Sequence, residues 1–583
     1  MPTTEGTIVD LESIRTVAAH EVNRRRLLQG LGVAAGAGVL GLATSDPVHA
    51  ATAGYDLAKG YVAGSYEPPA DDAPKSPAKD TALSWINDNA AAVTGLSDEI
   101  WGYAELSLRE WESSMAIAKM LSRNGFRIEW GTAGLPAAFV ATYQQGSGGP
   151  VLGFNGEYDA LPGLSQTQGE TTHQPSIYND DPYAPTYGPG HGDAHNTLGA
   201  ATAGAAIATA KALRRHRLNA TLKYFGSSGE EQLVGKAYAV RDGFYQGLDV
   251  FLDWHPGPTT DASWVPLATL TSATFSFLGA AGHGGSPLGN KSGLDGALLM
   301  AHMTEYLRQN NVAPSARMHY AIVNGGGGPN VAPDLCSIWY YVREGSPDRT
   351  KILYDKVVKC AEAAASASQT HLSYRLNSSI WNTIGNKAGA EIVYANMNAI
   401  GPPTVGDQEV AFAKSLQGEL GRDQVGLPQA IVPLAPPNPT FVGGPSSDVG
   451  DVSWITPRIG FFAAIWPPGV PFHNWATTAC SGSAIAHAGL LAAARYLAAT
   501  AIDLIVQPDL LAKVRAEHAE RTKGVTWASL LPADLQPPIY QPPDDFLRKT
   551  GQKWPPPNIT WPVEPIIARE KLGTVGPALP PIT

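Results

Sequence analysis

The sequence predicts an α/β protein: a mostly parallel sheet covered by helices, with a second, ferredoxin-like unit inserted into it. Three observations carry that expectation. From Phe139 onward short apolar strands alternate with helices, the strand–helix–strand rhythm of parallel sheets. Between about Leu267 and Thr383 the order becomes β-α-β-β-α-β, as in ferredoxin-like units. Glu157 and Asp159, the pair Glu230-Glu231, and His255 each lie just beyond a predicted strand, at the edge where open α/β sheets build their sites.

In chain order, Asn23-Arg24-Arg25-Arg26-Leu27-Leu28 precedes a weakly apolar, Gly/Ala-rich stretch from Leu31 to Ala43, and Val48-His49-Ala50 offers a small-residue cleavage site. Residues 1–50 resemble a bacterial twin-arginine export signal, which implies a periplasmic or secreted mature protein. The apolar stretch is too short and weak for a stable membrane anchor. Residues 51–80 are a polar lead-in, and the main α/β unit is expected over 81–266 and again over 384–502. Its first part holds a helical stretch Thr81–Leu121, a strand Val151–Asn155, a long polar loop over 165–190 and an Ala-rich helix Asn196–Arg215. A strand Ala220–Phe225, a helix Val234–Arg241 and a strand Val250–Trp254 follow.

The inserted unit, 267–383, reads as strand Thr271–Leu278, helix Gly293–Arg308, strands Met318–Val323 and Cys336–Val342, helix Asp348–Ala365 and strand Leu372–Trp381. The main unit resumes with a buried strand Ile459–Ile465 and a closing helix Ala484–Ala498. Residues 503–583 begin with a short charged helix and become proline-dense, with Pro537-Pro538, Pro542-Pro543 and Pro555-Pro556-Pro557. Such a segment builds no core of its own and is expected to be an extended arm on the surface.

Composition narrows the function. A net charge of -11 with no basic stripe beyond the N-terminus argues against a nucleic-acid partner. Cys336, Cys360 and Cys480 are too few and too scattered for a disulfide framework or a thiolate zinc site. The adjacent carboxylates Glu230 and Glu231 repel each other, so burying them calls for positive charge, most naturally a metal ion. Asp193 and His195 are two apart, a spacing that turns both side chains the same way in an extended segment. Glu231 and His255 can converge on them from neighbouring strand ends, leaving Glu230 to move a proton beside the metal.

These segments resemble the zinc-peptidase and amidohydrolase family of aminoacylases, carboxypeptidase G and plant auxin-conjugate hydrolases, most closely its aminobenzoyl-glutamate hydrolase branch. The resemblance rests on residues 156–166, 190–196, 229–231, 254–257, 329–334, 339–343 and 448–454, in family order, and covers about 80 to 505. It implies a di-metal hydrolase domain with an inserted lid and dimerisation domain. Position by position it implies metal ligands at Asp193, His195, Glu231, His255 and His473, and a general base at Glu230. It also implies that His283 stabilises the oxyanion, often in the active site of a partner chain, and that Asn330 and Arg343 anchor the substrate carboxylate.

Asp193 departs from the pattern, since this branch normally has cysteine there. Aspartate can bridge two metals, and its harder oxygen leaves zinc favoured while admitting manganese or cobalt. The expected activity is therefore an exported, metal-dependent cleavage of an N-acyl or N-aroyl amino acid by metal-activated water, in a homodimer or higher homo-oligomer. A dipeptidase or exo-carboxypeptidase uses the same machinery and is the alternative within enzymes. A catalytically silent binder of amino-acid conjugates is the alternative outside them, although it would not need Glu230.

Overall fold

The computed structural model describes residues 73–176, 178–179, 186–286, 288–435 and 444–556. The expected export signal, most of the lead-in, the centre of the 165–190 loop and the end of the arm lie outside the described residues.

The larger sheet runs, in spatial order, through Arg127–Trp130, Phe139–Gln145, Ala220–Ser227, Val151–Glu157, Val250–Leu252, Arg458–Ala464 and His255–Gly257. Along this path from Ala220–Ser227 to His255–Gly257 the pairings are parallel, while the first two strands form an antiparallel margin and the short strand Asp261–Ser263 pairs antiparallel with Arg458–Ala464. The central strands are apolar runs because both faces are covered, and Leu152, Phe154, Val250, Phe251 and Leu252 are all buried. Helix His195–His216 lies so close to the sheet that a Cβ at Gly199 would come within 2.7 Å of the Glu157 carbonyl oxygen. Its lack of a side chain at Gly199 is what permits that approach. Beside it packs Ala484–Val506, long and apolar enough to cross a membrane but largely buried in this core.

The helical stretch near the start is three helices, Pro77–Asp88, Ala90–Tyr103 and Trp111–Arg123. The second ends at Ala104, whose left-handed backbone (φ 44°) stops the α-helical path. Residues 269–380 make a second sheet, ordered Arg317–Asn324, Leu335–Glu344, Thr269–Leu278, His371–Ile380 and antiparallel throughout. With helices Gly293–Asn310 and Pro347–Ser368 packed on it, this is the ferredoxin-like arrangement. Its core includes Phe275, Phe277, Met300, Ile338, Tyr340 and Val357.

A seam of apolar residues joins the two sheets, with Leu233 and Val449 on one side, Leu270 and Ile380 on the other, and Leu531 and Ile539 from the C-terminal arm. The arm is tied down along its described length. Trp381 Nε1 donates to the Ala528 carbonyl at 2.8 Å, and Arg375 donates to that of Gln536 at 2.8 Å. The short helix Asp544–Thr550 sets Phe546 against Trp111 and Trp130, ring centroids 5.1 and 5.6 Å away. Cys336 and Cys480 are buried, and all three cysteines are free.

Candidate metal centre

The parallel strands deliver their carboxyl ends to one edge, and the turns that follow carry the polar residues. Strand Val151–Glu157 ends at Glu157, with Asp159 two residues on. After Ala220–Ser227 the chain turns sharply through Gly229 (φ 75°), where a Cβ would meet Leu108 Cδ2 at 2.5 Å. Buried Glu110 fixes this turn, accepting hydrogen bonds from Ser228 Oγ at 2.5 Å and Gly229 N at 2.7 Å. Three non-glycine residues here hold left-handed backbone: Ala194 (φ 58°), Leu233 (φ 60°) and His473 (φ 54°). Strain of this kind concentrates where side chains must be aimed.

Asp159 organises the centre. Its Oδ1 accepts a 2.8 Å hydrogen bond from His195 Nδ1, and its Oδ2 accepts from Ser107 Oγ at 2.7 Å and Glu231 N at 2.9 Å. A carboxylate on Nδ1 fixes the tautomer and leaves Nε2 as the ligating nitrogen. His195 Nε2 faces Glu157 at 3.5 Å and both Asp193 and Glu230 at 3.9 Å. Asp193 Oδ2 also faces His255 Nε2 at 3.6 Å and His473 Nε2 at 3.3 Å, and His473 lies 3.6 Å from Glu231. Asp193 thus stands between a His195/His255 side and a Glu231/His473 side, where its carboxylate could bridge two cations.

The donor set fits divalent metal. His195 Nε2, Asp193 Oδ1 and Glu231 Oε1 are buried without a hydrogen-bond partner among the described residues. Such orphaned atoms are costly unless a cation receives them. The electrostatics agree. Burial and then Asp193 push the Glu231 carboxyl well above the carboxylate range, and burial, Glu157 and Asp448 do the same to Glu230. Burial also opposes ionisation of Asp193, yet His255, His473 and His195 hold its carboxyl down at about 2. These carboxylates compete for too little positive charge, the condition a bound metal relieves.

The five expected ligands and Glu230 therefore meet in one place. Arg343 stands nearby on strand Leu335–Glu344, close enough for the charges of Glu230 and Glu231 to oppose the burial that lowers its pKa. Two residues before it, Tyr341 donates its hydroxyl to the Glu231 carbonyl at 2.7 Å. His283 and Asn330 are not brought to this centre. They belong to the small ribbon formed by Gly282–His283 and Val331–Ala332, and both are exposed. The second histidine of the 190–196 segment, His191, turns away to the Ile100 carbonyl at 3.1 Å.

Sequence reasoning placed Glu157 and Asp159 at strand ends but gave them no role, and it missed Lys236 altogether. The Lys236 ammonium is fully buried, 2.7 Å from Glu157 and 2.6 Å from Asp448. Burial opposes its charge, but Asp448 and Glu157 hold its pKa well above the usual value.

No family model matches the sequence. One of the polypeptides of p-aminobenzoyl-glutamate hydrolase from Escherichia coli K12 is 32% identical over 473 residues, spanning 76% of this chain and 95% of that protein. Mouse Xaa-Arg dipeptidase is 27% identical over 451 residues, spanning 75% and 91%. Among solved structures, a dinuclear metal-binding peptidase of the M20 family from Bacillus subtilis gives a TM-score of 0.44 at 15% identity, over 72% of this chain and 99% of that one.

Proposed function

Because the chain belongs to the family of metal-dependent amidohydrolases and peptidases that includes p-aminobenzoyl-glutamate hydrolase, we propose that it is an exported hydrolase of N-acyl or N-aroyl amino acids. The observation that supports this best is the convergence of Asp193, His195, Glu231, His255 and His473 with Glu230 set against them. Two divalent cations held by those five residues would supply Lewis acidity toward the scissile carbonyl and the attacking water. Oxygen and imidazole donors suit zinc, with manganese or cobalt also accommodated.

Glu230 takes the proton from the water and returns it to the leaving amine. His473 and His255 are the most open members of the centre, with 52% and 26% of their side chains exposed, so substrate approaches from that side. Arg343 anchors the substrate carboxylate, and the exposed ribbon of a second copy of the chain supplies Asn330 to the same carboxylate and His283 to stabilise the oxyanion. A dipeptidase is the second reading, favoured by the likeness to Xaa-Arg dipeptidase.

The test pairs metal content with a substrate panel. Purified enzyme should carry stoichiometric divalent metal and hydrolyse benzoyl- and aminobenzoyl-amino acids faster than dipeptides, and Asp193→Ala should lose metal as well as turnover. Faster dipeptide cleavage would favour the second reading. Stoichiometric metal with no amide or peptide turned over would overturn both in favour of a binding protein.

A further inference from the structure

We propose that Glu157 is a further ligand of the metal centre and that Lys236 is the positioning residue that aims it. The inference rests on the metal-centre reading above. Glu157 is buried, and its Oε2 lies 3.5 Å from His195 Nε2, the nitrogen left without a hydrogen-bond partner. Ligand atoms of Glu157, His195 and His255 all fall within 4.8 Å of one another, a group as compact as Asp193, His195 and Glu231. Among the five proposed ligands, the only anionic donor on the His195/His255 side is Asp193, shared with the second cation, whereas the Glu231/His473 side has a carboxylate of its own; Glu157 would supply the counterpart.

The other oxygen of Glu157 is already committed. Oε1 accepts from Lys236 Nζ at 2.7 Å and from Asn155 Nδ2 at 2.8 Å. Lys236 is anchored in turn by Asp448 Oδ1 at 2.6 Å, and Asn155 by Asp253 Oδ1 at 2.7 Å. Two donors on one oxygen fix the rotation of the carboxylate and leave Oε2 directed at the imidazoles. With Oε1 held in this way, Glu157 would bind a metal through Oε2 alone.

Glu157, Glu230 and Asp448 by themselves form another cluster of metal-binding geometry. The Lys236 ammonium contacts two of its three carboxylates and supplies the positive charge there. Metal is thereby kept to the side of Glu157 that faces the histidines.

Metal retention and a spectrum, both independent of turnover, test this. Glu157→Gln keeps an acceptor for Lys236 but removes the anionic donor. It should release one of two metal equivalents under dialysis against a chelator that leaves the wild type intact, with affinity weakened at least about tenfold. It should also shift the visible d–d bands of the cobalt-substituted protein. Glu157→Asp, which preserves the buried charge but withdraws the oxygen, should do the same and serves if the glutamine variant does not fold. Retention of both equivalents with an unchanged cobalt spectrum in either folded variant would overturn the proposal. Lys236→Met should shift the cobalt bands and Lys236→Arg should restore them; a Lys236→Met spectrum identical to wild type would refute the positioning role. A wild type holding no metal would instead overturn the metal-centre reading, a different result.

Discussion

The parallel centre of the larger sheet and the antiparallel second sheet treat their polar residues differently. In the first, Val151–Glu157, Ala220–Ser227, Val250–Leu252 and Arg458–Ala464 all point one way, so the residues after them share one edge. Glu157, Glu230, Glu231, His255 and His473 meet there although they are far apart in sequence. In the second, strand directions alternate. There His283 and Asn330 remain on an exposed ribbon, while Tyr341 and Arg343 reach toward the centre. Parallel topology gathers its residues within one chain, whereas the antiparallel unit holds His283 and Asn330 apart from them, which is why a second copy is proposed to supply that half.

The largest expected effect would sharpen this division. Glu230→Gln should lower kcat roughly 10²–10⁴-fold while metal analysis shows unchanged content; substantial remaining turnover would put the base elsewhere. His283→Ala, on the other sheet, should cost roughly 10²-fold in kcat, again with full metal. Co-expressing the two inactive variants should recover activity, because mixed dimers would contain one intact site. No recovery would break the comparison by returning His283 to its own chain's centre.

The last prediction concerns stability, at the seam between the sheets. Asp451 is buried there, accepting from Trp381 N at 3.2 Å and Trp527 Nε1 at 3.1 Å. Burial pushes its carboxyl up to about 7 despite those donors. An unfolded aspartate titrates near 4, so the folded state holds this proton more tightly. The resulting stabilisation is complete below about pH 4 and is lost as pH rises through 7, by up to about 4 kcal/mol. Asp451→Asn should therefore gain stability relative to wild type between those limits, read from thermal melts across pH. A constant difference would separate Asp451 ionisation from folding.

Much of the α/β frame was legible because apolar runs and Ala-rich helices mark strands and packed helices locally. The residues that follow strand ends were legible for the same reason, and His473 entered only through resemblance. Lys236 was not legible. Five residues after Glu231 in a short helix, a lysine reads as a solvated side chain. Its burial depends on Glu157, 79 residues earlier, and Asp448, 212 residues later. The turn of His191 toward the Ile100 carbonyl was equally hidden, since local sequence does not say which histidine of 190–196 faces the carboxylates.

The seat of Phe546 bears on how the protein is made. Its aromatic neighbours, Trp111 and Trp130, emerge early in synthesis, while Phe546 comes near the end of the chain. Leu531 and Ile539 likewise complete a seam whose other side begins at Leu108. Contacts so distant in sequence close last, and until they do apolar surface stays open to aggregation. A ribosome that stops short of the arm therefore releases an unfinished core, and a C-terminal truncation would act on folding yield before it acted on catalysis.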